Sequence, residues 1–135
     1  MTATRRALEV PAIAAPRGHY SHAVIASGPV LHVAGQLPID AAGEVVGGDA
    51  ATQAEQVLAN LGAVLEAASA SPADVVRTTV YLTDRDDRAA VGRVRRAFFA
   101  GDPPANTLLI VAGLADPRYL VEIDAIAVLP EDARR

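Results

Sequence analysis

The sequence predicts an α+β fold, a mixed β-sheet carrying two helices on one face. Three observations support it. Apolar side chains recur at helical spacing over residues 50–68 and again over 86–100. Segments rich in strand-forming residues separate and follow these helices, at 75–83, 106–112 and 119–129. In the last of them, Leu120, Glu122, Asp124, Ile126 and Val128 alternate with Val121, Ile123, Ala125 and Ala127, so two carboxylates share one face of an apolar strand. A sheet rarely places acids there unless something solvates, pairs with or uses them.

Each element follows in order. The N-terminal stretch 1–16 lacks the long apolar run of a signal peptide, and the first strand is assigned to residues 22–27. Gly28-Pro29 makes a turn and residues 30–34 return, which reads as a hairpin. Residues 37–48, with Pro38, Asp40, Gly43, Gly47 and Gly48, form a loop containing one short extended piece. Asp49 is the expected N-cap of the first helix, with Thr52 as the alternative. That helix turns Val57, Leu58, Leu61, Val64, Leu65 and Ala68 to one side. Ser71-Pro72 marks a turn before the strand at 75–83. The second helix is expected to point Val91, Val94 and Phe98 inward and Arg88, Arg93, Arg95 and Arg96 largely outward. Gly101-Asp102-Pro103-Pro104 ends it.

The order ββ–α–β–α–ββ leaves one sheet face without helices, and too few residues remain to cover it. A partner subunit is the natural cover, and a cleft between subunits the natural pocket.

Composition narrows the function. At 135 residues the chain is a single domain, residues 1–135, with one modest core. Hydrophobic residues make up 51% but aromatics only 4%, much of the rest being Ala, which buries little area and favours completing the core against further copies. The absence of Cys excludes disulfides and thiolate chemistry and fits a cytoplasmic protein. Three His without ligand spacing give no metal site. A net charge of −4 is a poor basis for a nucleic-acid binder, and no apolar run is long enough for a membrane span. The arginine clusters at Arg5-Arg6, Arg93/Arg95/Arg96 and Arg134-Arg135 read as solvated tails or helix faces. No Ser-His-acid array, Walker loop or dinucleotide fingerprint is present, and no cofactor is implied.

One ordered set of motifs goes further. Gly18-His19-Tyr20-Ser21-His22-Ala23-Val24 resembles G-P-Y-S-Q-A-V, and Ala34-Gly35-Gln36 resembles S-G-Q. QAEQVLANL at 53–61, VVRTTVYLTD at 75–84, Phe98-Phe99, Pro104-Ala105-Asn106 against P-A-R, and VEIDAIA at 121–127 complete the pattern. Together they resemble the RidA/YjgF family of enamine and imine deaminases. That resemblance implies a chorismate-mutase-like fold, a homotrimer with clefts between subunits, and cofactor-free hydrolysis of imines to 2-oxo acids and ammonia.

The same resemblance implies roles for residues. Glu122 stands at the family glutamate, holding the hydrolytic water, and Tyr20 at the family tyrosine. Asn106, Thr107, Gly35, Ala34 and His22 are the candidate substrate-binding residues. The family arginine that forks onto a substrate carboxylate is here Asn106, Ser of S-G-Q is Ala34, and Leu108 and Gly92 also depart from the pattern. Asn106 recognises an amide, carbonyl or hydroxyl rather than a free amino-acid carboxylate, unless Arg17, Arg118 or a neighbouring subunit's arginine supplies the charge. Asp124 reads as a structural partner and His32 as a solvent-side strand residue. The rival readings are a non-catalytic metabolite-binding trimer and the ribonuclease activity sometimes attached to the family, which the acidic balance opposes.

Overall fold

The computed structural model describes residues 4–130. Arg134-Arg135 therefore lie outside the described residues. The chain forms β1 (Thr4–Leu8), β2 (Ala23–Ser27), β3 (Val30–Gln36), α1 (Ala50–Ala67), β4 (Val75–Leu82), α2 (Arg88–Phe98), β5 (Ala105–Ile110) and β6 (Val121–Val128). Four strands make a mixed sheet in the order β3-β6-β4-β5, with β4 and β5 parallel and the other pairs antiparallel.

Asp49 caps α1 as expected, its Oδ1 accepting from Thr52 N at 2.8 Å. One face of α1 buries Ala54, Val57, Leu58, Leu61 and Leu65, and the helix stops at Ser69, whose φ of 56° breaks the helical path. The burial pattern of β6 alternates strictly, placing Val121, Ile123, Ala125 and Ala127 in the core beneath the helices. Val75, Thr78, Val80 and Leu82 of β4 join them. Each fully buried Leu or Ile here contributes about 1.5–3 kcal/mol relative to exposure. Glu122, Asp124, Ile126 and Val128 sit half-buried on the opposite, helix-free face, where Val30 and Leu109 are exposed.

Two expectations need correction. The turn at Gly28-Pro29 exists, with Gly28 at φ 139°, but no hairpin ladder joins its arms. β2 pairs instead with β1, a strand that the sequence reading missed, and β3 pairs with β6. Pro29 has no N–H to give a hairpin, and its carbonyl already accepts from Leu129 N at 2.8 Å, which ties the start of β3 to the end of β6. Arg5 in β1 is also no free tail: its Nε and Nη2 donate to Val75 O at 3.1 and 2.9 Å. The second correction concerns Arg95, which is 5% exposed rather than outward. It lies one turn beyond Val91 on the buried face of α2, with its guanidinium 5.6 Å from the centre of the Phe99 ring.

Candidate functional site

The first cluster of candidate residues lies on the helix-free face. Between Val33, paired with Ala125, and Gln36, paired with Ile123, β3 carries one residue more than β6. Ala34 and Gly35 form this bulge opposite Asp124. The missing side chain of Gly35 gives Glu122 its place: a Cβ there would meet Glu122 Cδ at 2.9 Å and Cγ at 3.1 Å, and would run into Oε2. Burial raises the Glu122 carboxyl above its ordinary value, and the charge of Asp124 raises it further. No cation among the described residues offsets it. Asp124 is partnered, accepting from Tyr81 Oη at 2.8 Å, as the structural reading of that residue expects. Tyr81, opposite Glu122 in the ladder, escaped the sequence reading; its position in the β4–β6 register carries the signal.

The second cluster lies where α2 meets β5, at the other edge of the sheet. A cleft of about 590 Å³ is lined there by Tyr20, Asn106, Leu108, Gly92 and five arginines, with no acidic side chain among the described residues. Tyr20 Oη accepts from Arg17 N at 3.2 Å, and its ring meets His22 edge-on at 5.8 Å. His22 itself faces Ala14 O at 2.7 Å and is not part of the lining, so it braces Tyr20. His19 does line the cleft, its Nε2 lying 2.6 Å from Phe99 O.

Asn106 pairs with Thr78 along the parallel ladder and accepts from Thr78 Oγ1 at 2.6 Å. It therefore shares the helix face with Thr78. Thr107 points the other way, accepting from Arg77 Nη2 at 2.8 Å. Asn106 and Glu122 thus occupy opposite faces of the sheet, one at the β5 edge and one beside the β3 bulge. A single chain brings Glu122 to Gly35 and Tyr20 to Asn106, and does not bring the two pairs together.

Of the arginines considered as replacements for the missing charge, Arg118 is committed elsewhere, paired with Asp116 at 2.9 Å, and Arg17 stands exposed at the mouth of the cleft. The guanidinium behind Asn106 is that of Arg95, which donates from Nη2 to Thr78 Oγ1 and from Nη1 to His19 O, both at 3.2 Å. Sequence reasoning missed it, although its spacing from Val91 marks it as a residue of the core stripe.

A family model described as Endoribonuclease L-PSP matches residues 11–129. The chain belongs to the RidA/YjgF family. A RutC family protein of Pyrococcus horikoshii is 45% identical over 113 residues, covering 83% of this chain and 88% of that one. A rat protein named 2-iminobutanoate/2-iminopropanoate deaminase is 37% identical over 125 residues, covering 92% and 90%. Among solved structures, the Rid-family protein YyfB of Yersinia pestis, of unknown function, superposes with a TM-score of 0.85 at 42% identity, covering 93% of this chain and 98% of that one. RidA from an Antarctic Psychrobacter gives 0.72 at 34% identity, covering 92% and 99%. The two-helix, mixed-sheet architecture is that of the Rid fold.

Proposed function

We propose that this Rid-family chain hydrolyses a small imine or enamine, with Glu122 as the residue that activates water and Asn106 altering substrate recognition. The observation that carries the reading is the Glu122 carboxylate, laid against a glycine bulge with no cation among the described residues to hold it ionised and with its affinity for protons raised. Such a carboxyl exchanges a proton nearer neutrality than an exposed one, as a general base requires. Relatives named imine deaminases supply the reaction class.

In the reaction, Glu122 takes a proton from water as its oxygen bonds to the imine carbon. The same proton passes to nitrogen as the carbon–nitrogen π bond opens, giving a carbinolamine. Glu122 then carries the hydroxyl proton to nitrogen, the carbon–nitrogen bond breaks, and ammonia leaves a carbonyl product. Because Asn106 and Glu122 lie on opposite faces, a substrate touching both needs two chains. The exposed Val30 and Leu109 support a trimer that buries the helix-free face, bringing the Glu122 bulge of one subunit to the Tyr20–Asn106 cleft of the next.

The test is ammonia release from freshly generated 2-iminopropanoate, followed by subunit mixing. Glu122→Gln and Asn106→Ala assemblies should each be inactive, and mixing them should restore activity at about a quarter of the sites, the fraction given by random pairing across a heterologous interface. No turnover by the native protein of 2-iminopropanoate, of its amide or of an imine bearing a second carboxylate refutes the deaminase reading, and no recovery on mixing refutes the shared site.

The alternative, a metabolite-binding trimer without catalysis, is favoured by the loss of arginine at position 106 and would appear as ligand-induced stabilisation without turnover.

A further inference from the structure

Arg95 is an expensive residue to keep where it is. It is buried, no acidic side chain among the described residues offsets it, and its Nε–H has no hydrogen-bond partner there. Its two hydrogen bonds, to Thr78 Oγ1 and His19 O, are long and go to neutral acceptors. Burial lowers its pKa to about 10, which still leaves it charged at neutral pH. A buried charge without a partner is unfavourable in the chain alone.

The hydrogen bonds around it have a fixed direction. Arginine only donates, so Thr78 Oγ1 accepts from Arg95 and spends its own hydrogen on Asn106 Oδ1. That turns the Asn106 amide so that Nδ2 remains as a donor at the cleft, without an acceptor among the described residues. The positive charge absent from β5 is therefore still present, one hydrogen-bond relay further back. Around the mouth stand Arg17, Arg88, Arg93 and Arg96, all exposed, in a protein whose net charge is −4. The cleft's volume suits a small molecule.

We propose that this cleft binds a small organic anion bearing two negative groups, such as a dicarboxylate, its inner carboxylate held by Asn106 Nδ2 with Arg95 behind it and its outer one by the arginines of the mouth. The proposal deepens the deaminase reading and rests on it for the reacting imine group; the anion site itself is read from the cleft alone. Thr78 and Arg95 are positioning residues in this arrangement, orienting and polarising the amide that touches the ligand.

The experiment uses the whole protein with the non-reacting probes succinate and propionate, at matched ionic strength, read by thermal shift and calorimetry. Succinate should stabilise the native protein and bind at least tenfold more tightly than propionate, and Arg93→Ala with Arg96→Ala should reduce succinate to the propionate level. Arg95→Met should abolish the response to both probes while retaining the fold and melting no lower than the native protein without ligand. Thr78→Val provides the same readout should Arg95→Met fail to fold, weakening succinate without changing the mouth.

Equal succinate binding by native protein and both variants overturns the proposal. So does binding of a short single-stranded RNA with steep salt dependence and no response to succinate. Succinate binding without turnover of any imine leaves the anion site standing and refutes the deaminase reading. Imine turnover that Arg95→Met leaves unchanged, together with no succinate binding, does the reverse.

Discussion

The two clusters on this sheet are electrostatic opposites. On the helix-free face, Glu122 lies beside Asp124 with no cation in reach among the described residues, and its pKa is raised. On the helix face, Arg95 lies in a cleft of arginines with no acid in reach among the described residues, and its pKa is lowered. Each group is held where its charged form is disfavoured, and within one chain β4 and the two faces of the sheet keep them apart. Ion pairs that only served stability would be placed within reach of each other, as Arg118 and Asp116 are. Uncompensated groups of opposite sign at separate edges instead leave both free for a third molecule.

The largest expected effect comes from breaking the acidic half. Glu122→Gln keeps the shape of the side chain and removes its base, so turnover should fall by about 10²–10⁴-fold with the fold intact. Steady-state rates alongside circular dichroism check this, and residual activity within a few-fold of native would remove Glu122 from the chemistry. Gly35→Ala should follow, at about 10²-fold, because a misplacement of roughly 1 Å at a reacting group has that scale. The added Cβ runs into Glu122 Oε2 and crowds Cδ and Cγ behind it, so the carboxylate itself must move. The loss should appear in kcat more than in KM if the Tyr20–Asn106 cleft is where substrate binds, since the substitution leaves that cleft untouched.

The basic half allows a sharper comparison. Restoring the family residue by Asn106→Arg sets a second guanidinium where the amide now bonds Thr78, in front of Arg95. The single variant should lose stability through like-charge repulsion, and adding Arg95→Met should recover it. The double-mutant cycle should therefore show a coupling of about 1 kcal/mol, typical of residues that share partners. Additive effects in denaturant unfolding would mean that the two positions do not share one charge site.

Much of this was legible in the sequence, and the losses have physical causes. The alternation in β6 gave the faces of all its residues because a strand's period leaves no freedom once one side is buried. The helix cap at Asp49 is equally local and was read correctly. The partnership of β3 was not, since strand pairing depends on which edges are free, and a turn at Gly28-Pro29 serves a crossover between sheets as well as a hairpin. Arg95 was misplaced because its charge outweighed its spacing from Val91 in the reading. Residue type misleads where a charged side chain takes a buried position on the core stripe. The separation of Asn106 from Glu122 needed the register of three strands, which no motif encodes.

The smallest expected effect tests whether the acidic half is truly uncompensated in the assembled protein. A carboxyl whose folded pKa lies above its ordinary value of 4.5 binds more protons in the native than in the unfolded state across the interval between them. Native stability then falls as pH rises through that interval, while Glu122→Gln is insensitive there. The melting temperature of the variant should thus overtake that of the native protein from about pH 4.5 upward, with the gap constant once pH exceeds the raised pKa. The pH at which the gap levels off should coincide with the acid limb of the rate profile, because the same ionisation creates the base. A gap of the opposite sign, with native protein gaining on the variant as pH rises, would show that a cation from another subunit already pairs with Glu122, and the two halves of the sheet would then differ only in the isolated chain.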